Sequence, residues 1–373
     1  MFQTLNLFLV SDFVTAFQRN SLPLLKIQIK SFGDFLPEYL AANAPLLHYS
    51  SLYANNFHLY NYLLKNVDPN IKDSNGRSAL FYAIQNPSPP FIQFLIEKGV
   101  NPNEGDKDCL TPLRSSIEHR FNDRIDLLLS NESEPNLTIS YDRNPPLFTA
   151  CLNVKYLNDT ETFIQFLKYS GPKINSPFSN GQYLTHVCID NEIIEALLIL
   201  ATIPEFDPNR ITKYYSHPLH YFIECKGDDS LELLNALLSI PSLFVNEKNE
   251  VQNTPLCSAI EKRDIAIIER IIIDPRCDVE LLGYEQKTPL FMAVELDDLE
   301  IVDLLLNKGK ALPNSPNNDG KTPLFMAVEN GNAEIVQKLL EAGAKPNLWP
   351  YQGKYVIDIA TDENIKQMLG KYS

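Results

Sequence analysis

Apolar positions in this chain recur with a long, nearly constant period. The segment Thr288-Pro-Leu-Phe-Met-Ala-Val-Glu295 returns unchanged as Thr322-Pro-Leu-Phe-Met-Ala-Val-Glu329, 34 residues later. Following that phase in both directions gives a ladder of apolar anchors: Leu47, Leu80, Leu113, Leu147, Thr185, Leu219, Leu256, Leu290, Leu324 and Ile357. The gaps are 33, 33, 34, 38, 34, 37, 34, 34 and 33 residues. A small residue stands three places after many anchors (Ala83, Ser116, Ala150, Ala293, Ala327, Ala360), where neighbouring helices can approach closely. A polar break follows, then a second apolar run such as Ile335, Val336, Leu339 and Leu340. Apolar residues three and four apart predict a helix. Each period therefore predicts two short helices with one apolar face apiece.

A second ladder runs in the same phase. A short apolar residue or Pro precedes Asn70, Asn103, Asn136, Asn175, Asn209, Asn246, Asn314 and Asn347, with Glu280 as the one departure. The local chemistry agrees with the period. Thr two places before the anchor can cap the first helix through its hydroxyl. Pro next occupies the first helical position, where its missing N–H costs nothing. Gly309 and Gly343 stand where a left-handed C-cap is expected.

A repeat of this length with these residues resembles the ankyrin-repeat family, which has a 33-residue period and a T-P-L-H-x-A motif. Gly320–Asn347 and Lys287–Gly309 carry the resemblance most fully, and it extends over about residues 36–373. The units around Thr185 and at Gly353–Ala360 are degenerate. The resemblance implies an all-α solenoid, a curved stack of about ten helix-turn-helix units joined by hairpin-like loops, including a degenerate C-terminal cap. Residues 1–35 are expected to form an N-terminal helical capping unit, since Phe13-Val-Thr-Ala16 lies 34 residues before Leu47-His-Tyr-Ser50. Extra residues in the 145–175 and 217–246 units are expected to lie in loops. The degenerate stretch 175–215 is the expected weak seam, because a repeat array is held by nearest-neighbour interfaces.

Composition narrows the partner. Forty-seven acidic against 32 basic residues give a net charge of −15. That argues against nucleic acid, whose phosphates require a basic surface, and against anionic membranes. The six cysteines, Cys109, Cys151, Cys188, Cys225, Cys257 and Cys277, show no CxxC spacing, so a reducing, cytoplasmic location is expected. The apolar start lacks a basic n-region and meets Asp12, which is a poor signal peptide.

No catalytic motif appears, and no cofactor or metal is expected. His48, His186 and His220 fall in the slot after the anchor, where a histidine can hydrogen-bond neighbouring backbone and link units. Carboxylates such as Asp297, Asp298 and Glu300 sit where a second helix begins, a position the helix dipole favours. The resemblance implies that hairpin tips and first helices line a concave binding face. Tip positions are free of core duty, and Tyr141, Phe178, Ile211, Tyr214, Tyr215, Leu282, Tyr284, Trp349 and Tyr351 are large and apolar or aromatic there. Such residues anchor interfaces, although Phe178 and Tyr215 are candidates to tuck against a neighbouring loop. Lys287, Lys321 and Lys354 share one loop position, a solvated stripe or a site for an acidic partner. The expected partner-binding set is Tyr141, Ile211, Tyr214, Leu282, Tyr284, Lys287, Lys321, Trp349, Tyr351 and Lys354. The function read from the sequence is a non-catalytic, monomeric scaffold or adaptor for a protein partner. The alternative is a regulatory or inhibitory subunit that occupies a catalytic partner's cleft.

Overall fold

A computed structural model describes residues 68–373 apart from 87, 89, 138–143, 213–216, 228–229, 349 and 373, together with scattered positions before residue 68. Most of the expected capping unit at 1–35 lies outside the described residues. The chain divides into two compact units, Met1–Asn180 and Gly181–Ser373. The boundary falls inside the degenerate stretch 175–215.

In the first unit the described helices are α1 (Ala79–Ala83), α2 (Pro90–Glu97), α3 (Pro112–Glu118), α4 (Asn122–Ser130), α5 (Pro146–Leu157) and α6 (Thr160–Ser170). In the second they are α7 (Leu184–Asn191), α8 (Ile194–Leu200), α9 (Pro218–Cys225), α10 (Leu231–Leu238), α11 (Pro255–Lys262), α12 (Ile265–Ile272), α13 (Pro289–Glu295), α14 (Leu299–Asn307), α15 (Pro323–Asn330), α16 (Ala333–Glu341), α17 (Val356–Ile359) and α18 (Glu363–Lys371). No strand occurs among the described residues, only one isolated bridge between Tyr351 and Lys354. First helices pack on first helices and second on second, so each unit is a two-layer stack.

The expected capping chemistry operates where the residues allow it. The hydroxyls of Thr111, Thr254, Thr288 and Thr322 accept the amide N–H of Arg114, Cys257, Phe291 and Phe325, and Pro follows each threonine. Asp264, Asp298 and Asn332 cap the second helices in the same way. The anchors from Leu80 to Leu324 are buried. Burying one such leucine contributes about 2 kcal/mol.

Three expectations change. Ile357 is 37% exposed, and its neighbour Val356 is buried instead at 2%. The helix there has only four residues. Gly309 is not left-handed; Lys310 takes φ +56°. Glycine is needed at 309 because a Cβ would meet the Leu305 carbonyl oxygen at 2.8 Å. Gly343, with φ +94°, is left-handed as expected. In the 145–175 unit the extra residues lengthen helices rather than loops. Helix α5 has 12 residues and α6 has 11, and a 3-10 turn, Gly171–Asn175, follows.

The asparagine ladder is a set of bonds between consecutive repeats. Asn103 Nδ2 donates to the Glu132 carbonyl at 3.0 Å, while its Oδ1 accepts the Glu134 N–H at 2.7 Å. The same two-way clamp joins Asn70 to Gly99 and Asn101, Asn209 to Ser242 and Phe244, Asn246 to Arg276 and Asp278, and Asn314 to Gly343 and Lys345. Asn136 keeps only the donor half, to the Lys173 carbonyl at 2.8 Å, and its Oδ1 is buried without a partner. There the 3-10 turn replaces the usual loop. Glu280 keeps only the acceptor half: Oε1 takes the Leu312 N–H at 2.7 Å. Burial pushes its carboxyl above the ordinary value, and the bonds from Leu312 and Ser315 oppose that.

Further bonds tie a repeat to the first helix of the one before. Lys262 Nζ donates to the Ile223 and Glu224 carbonyls, Asn330 to that of Val294, and Arg124 to those of Ile84 and Asn86. They satisfy carbonyls that a helix end leaves open. Arg276 does the same for α10, with its guanidinium on the Leu238, Ile240 and Pro241 carbonyls and the Asp274 carboxylate.

Asn314→Ala removes both halves of one clamp and is expected to lower stability by about 1–3 kcal/mol. Glu280→Asn supplies the missing donor and is expected to raise stability by about 1 kcal/mol. Urea unfolding reads both as midpoint shifts at constant slope. A native midpoint for Asn314→Ala would show that the clamp does not hold the stack.

Candidate functional site

The tips and the exposed ends of the first helices form the surface that the core leaves free. Four of the described tips are tight turns, each held by one side chain. Asn317 Oδ1 accepts the N–H of both Asp319 and Lys321. Its own N–H reaches the Lys321 carbonyl, and Gly320 N–H reaches its carbonyl. Asp73, Asp106 and Asn249 build the same turn one or more repeats earlier. At the corresponding Gly283 no side chain is present. There Tyr284 N–H bonds to Asn253 Oδ1 of the preceding repeat at 2.8 Å. The sequence carries this signal as Asp or Asn five residues before the Thr slot.

Two places before the Thr slot the backbone is left-handed at every described tip. Gly76, Gly181, Gly320 and Gly353 meet that need, while Cys109, Gln252 and Gln286 adopt it with side chains, at φ of 58°, 68° and 56°.

The predicted site residues fare differently. Tyr141, Tyr214 and Trp349 lie outside the described residues, as does Tyr215. Ile211 and Tyr284 are exposed, Tyr284 by 53%, and Val251 joins them at 56%. Leu282 is half-buried. Phe178 is buried and packs edge-on against Phe148 at 5.2 Å. Tyr351 is half-buried, packing edge-on against Phe325 at 5.2 Å beneath the Lys321 ammonium, 4.8 Å from its ring centre.

Lys287 and Lys321 act as straps. Lys287 Nζ lies 2.8 Å from the carboxylates of Glu285 and Glu295, and Lys321 Nζ lies 2.7 Å from Glu329. Desolvation works against the Lys287 ammonium, yet the two carboxylates hold it above its ordinary value. Each strap runs from the tip to the far end of the first helix of its own repeat. Asn253 reaches Glu261 and Gln182 reaches Asp190 across the same eight residues, so the position serves the fold. Lys354 is exposed.

The motif histidines link repeats as expected. His48 Nε2 lies 3.1 Å from the Ile71 carbonyl, and His220 Nε2 lies 2.8 Å from that of Glu247. A carbonyl only accepts, so these nitrogens carry the proton. The Ser258 hydroxyl is 3.3 Å from His220 Nδ1. His186 packs edge-on against the Tyr221 ring at 5.0 Å. All six cysteines are free thiols. Among the described residues no group of three His, Cys, Asp or Glu side chains gathers to hold a metal, and no helix is long and apolar enough to cross a membrane.

A family of ankyrin repeats, in three-copy form, matches residues 47–139 and 256–348. This chain belongs to the ankyrin-repeat family. The ankyrin repeat domain of Bcl-3, described as a unique member of the IkappaB protein family, has a similar structure. Its TM-score is 0.52 at 19% identity, over 61% of this chain and 98% of that one, a likeness of fold. A putative ankyrin repeat protein of Fowlpox virus (strain NVSL) is 45% identical over 56 residues, 15% of this chain and 7% of the relative. A probable serine/threonine-protein kinase of Dictyostelium discoideum is 30% identical over 132 residues, 34% of this chain and 15% of the relative. The matched segments thus span a small part of each relative. They carry nothing over from the rest of either protein.

Two tests follow from this geometry. Tyr351→Ala removes an aromatic pair and a cation–ring contact and is expected to cost about 1–2 kcal/mol in urea unfolding. Tyr284→Ala should stay within about 0.5 kcal/mol of native; equal losses would contradict the division between braced and free tips. Burial holds the His220 imidazole below its ordinary value of 6.5, with the charge of His217 adding to this and the Glu247 bond opposing it. A depressed base keeps its full stabilising contribution above the unfolded value and loses it as pH falls through the folded one. Stability of native protein should therefore decline below about pH 6.5, and His220→Asn should flatten that decline; an unchanged profile in the variant would exclude His220 as its source.

Proposed function

We propose that this chain is a non-catalytic protein-binding scaffold or adaptor, whose partner seats on the hairpin tips and the exposed ends of the first helices. The observation that carries the reading is the combination of rigid turns with exposed apolar side chains. Val251 and Tyr284 project from turns whose backbones are held by side-chain bonds, and Ile211 is exposed at another tip position. Presenting such groups on a fixed frame lowers the ordering cost of binding. Leu282, Tyr141, Tyr214 and Trp349 belong to the same proposed surface by their position in the repeat.

Charge supports a protein partner over a nucleic acid. Residues 181–373 hold 17 basic and 30 acidic side chains, a net charge of −13, while residues 1–180 hold 15 and 17, a net charge of −2. The second unit therefore attracts basic surfaces and repels phosphate backbones. Six free cysteines fit a reducing compartment, and a cytoplasmic place of work is part of the proposal.

The test is capture of prey from cytosolic extract with the native chain and with a variant carrying Ile211→Ser, Val251→Ser and Tyr284→Ala. Circular dichroism and urea unfolding should show the variant folded, since all three side chains are exposed. Specific prey held by the native bait should be lost by the variant. Equal retention would remove the tips from the interface, and a captured enzyme whose rate falls on binding would convert the scaffold into an inhibitory subunit.

A further inference from the structure

Between α1 and α3 of the first unit lies a notch of about 210 Å³. A cavity of roughly 150 Å³ holds a benzene ring, so this one takes a partner side chain whole. Phe81, Tyr82 and Leu110 supply its apolar lining, and Arg77, Gln85, Ser115 and His119 supply its polar groups.

The cation is fixed in place. Arg77 Nε donates to Asp106 Oδ2 at 3.1 Å, and the Asp106 side chain is 1% exposed while that of Arg77 is 39% exposed. A guanidinium has five N–H donors, and this bond engages only Nε–H. His119 Nδ1 donates to the Ser115 carbonyl at 2.7 Å, and its ring stacks on Phe121, which fixes the imidazole at the other end of the notch.

No carboxylate lines the notch, although acidic residues outnumber basic ones in the chain. Two carboxylates of the flanking turns direct their oxygens to donors of those turns and of the notch wall. Asp106 Oδ1 accepts the N–H of Asp108 and Leu110. Asp73 accepts the N–H of Asn75 and Arg77 and the Tyr82 hydroxyl. The notch thus offers donors above an apolar floor, in the unit whose net charge is close to neutral.

We propose that this notch is a docking site for a glutamate side chain in an acidic segment of a protein partner. The carboxylate meets the free N–H groups of Arg77, with the Ser115 hydroxyl and the His119 ring beside it. The methylene stem lies on Phe81 and Leu110. Charge-assisted bonds of this kind are the strong ones. The inference rests on the protein-binding reading and names the chemistry of one partner segment.

The test is a titration of the full chain, labelled with carbon-13 at histidine, followed by NMR. His119→Asn assigns the His119 ring signal. The probes are the peptides acetyl-Leu-Glu-Leu-amide and acetyl-Leu-Gln-Leu-amide. The glutamate peptide should move the His119 signal saturably, and the glutamine peptide should require about tenfold or more higher concentration. Arg77→Gln should weaken the glutamate peptide by a similar factor. Because Arg77 also partners Asp106, Gln85→Glu is the second variant. It adds a repelling carboxylate at an exposed position and should abolish the shift with the fold intact.

An unmoved His119 signal, equal response to both peptides, or full binding by Gln85→Glu would overturn the site. Acetyl-Leu-Gln-Leu with a free C-terminus binding as well as the glutamate peptide would overturn the assignment to a side chain in favour of a chain end. The tip variants of the preceding section leave this titration untouched, so failure of the scaffold reading and failure of the notch register separately.

Discussion

The stack depends on one amide side chain per repeat. An asparagine at the end of five units faces the backbone of the next, whose local N–H and C=O groups have no helical partner. Only a side chain with a donor and an acceptor a short distance apart satisfies both. Asn103, Asn209, Asn246 and Asn314 do so with bonds of 2.7–3.0 Å. Most of these bonds lie at the exposed edge of the stack, where each contributes about 0.5–1.5 kcal/mol net, so the clamp matters chiefly through its repetition. Glu280 shows the limit of substitution. A carboxylate accepts but has no N–H, so half the junction lapses, and burial raises its proton affinity. Asparagine fixes each second helix and loop against the next, and the paired first helices and tips follow.

This constraint separates two kinds of surface residue that look alike in sequence. Lys287 and Lys321 stand at the binding edge, yet each spans its own repeat to a glutamate at the end of the first helix. Tyr351 stands at a tip, yet its ring lies on Phe325. Tyr284 is free because its backbone is held instead, by Asn253. Where a backbone bond fixes the turn, the side chain remains available to a partner. Where the side chain itself fixes the turn, its binding capacity is already engaged.

Most of the fold was legible because its determinants are local and repeat. The threonine caps, proline starts, leucine anchors and asparagine clamps each occupy one slot, and several copies in one phase reinforce each other. The failures lie where a slot's neighbour decides the outcome. Ile357 sits in the anchor slot of a helix only four residues long, and Val356 is buried in its place. Gly309 answers a close carbonyl rather than a positive φ. The site was less legible for the same reason. Whether a tip aromatic is free depends on what packs beside it, 25 or more residues away. The notch between α1 and α3 joins Arg77 to His119 across the helix-stacking distance, and no spacing rule connects those two residues. The asparagine and aspartate of the tip turns were visible in the sequence, but their role requires the turn geometry.

The tips also carry a cost that the core does not impose. Every described tip passes through a left-handed residue, and glycine meets that need at residues 76, 181, 320 and 353. Cys109, Gln252 and Gln286 meet it with a side chain, at about 1 kcal/mol of strain each. The same chain contains the relaxed solution several times over, so the strained tips are not a limitation of the repeat. Gln252 and Gln286 flank the two most exposed apolar tip residues, Val251 and, two places earlier, Tyr284. A side chain kept in a strained conformation beside exposed apolar groups adds surface chemistry at the point farthest from the core. That is the distribution expected of a surface shaped by what it meets in solution, with the asparagine clamps beneath it rigid enough to carry the strain.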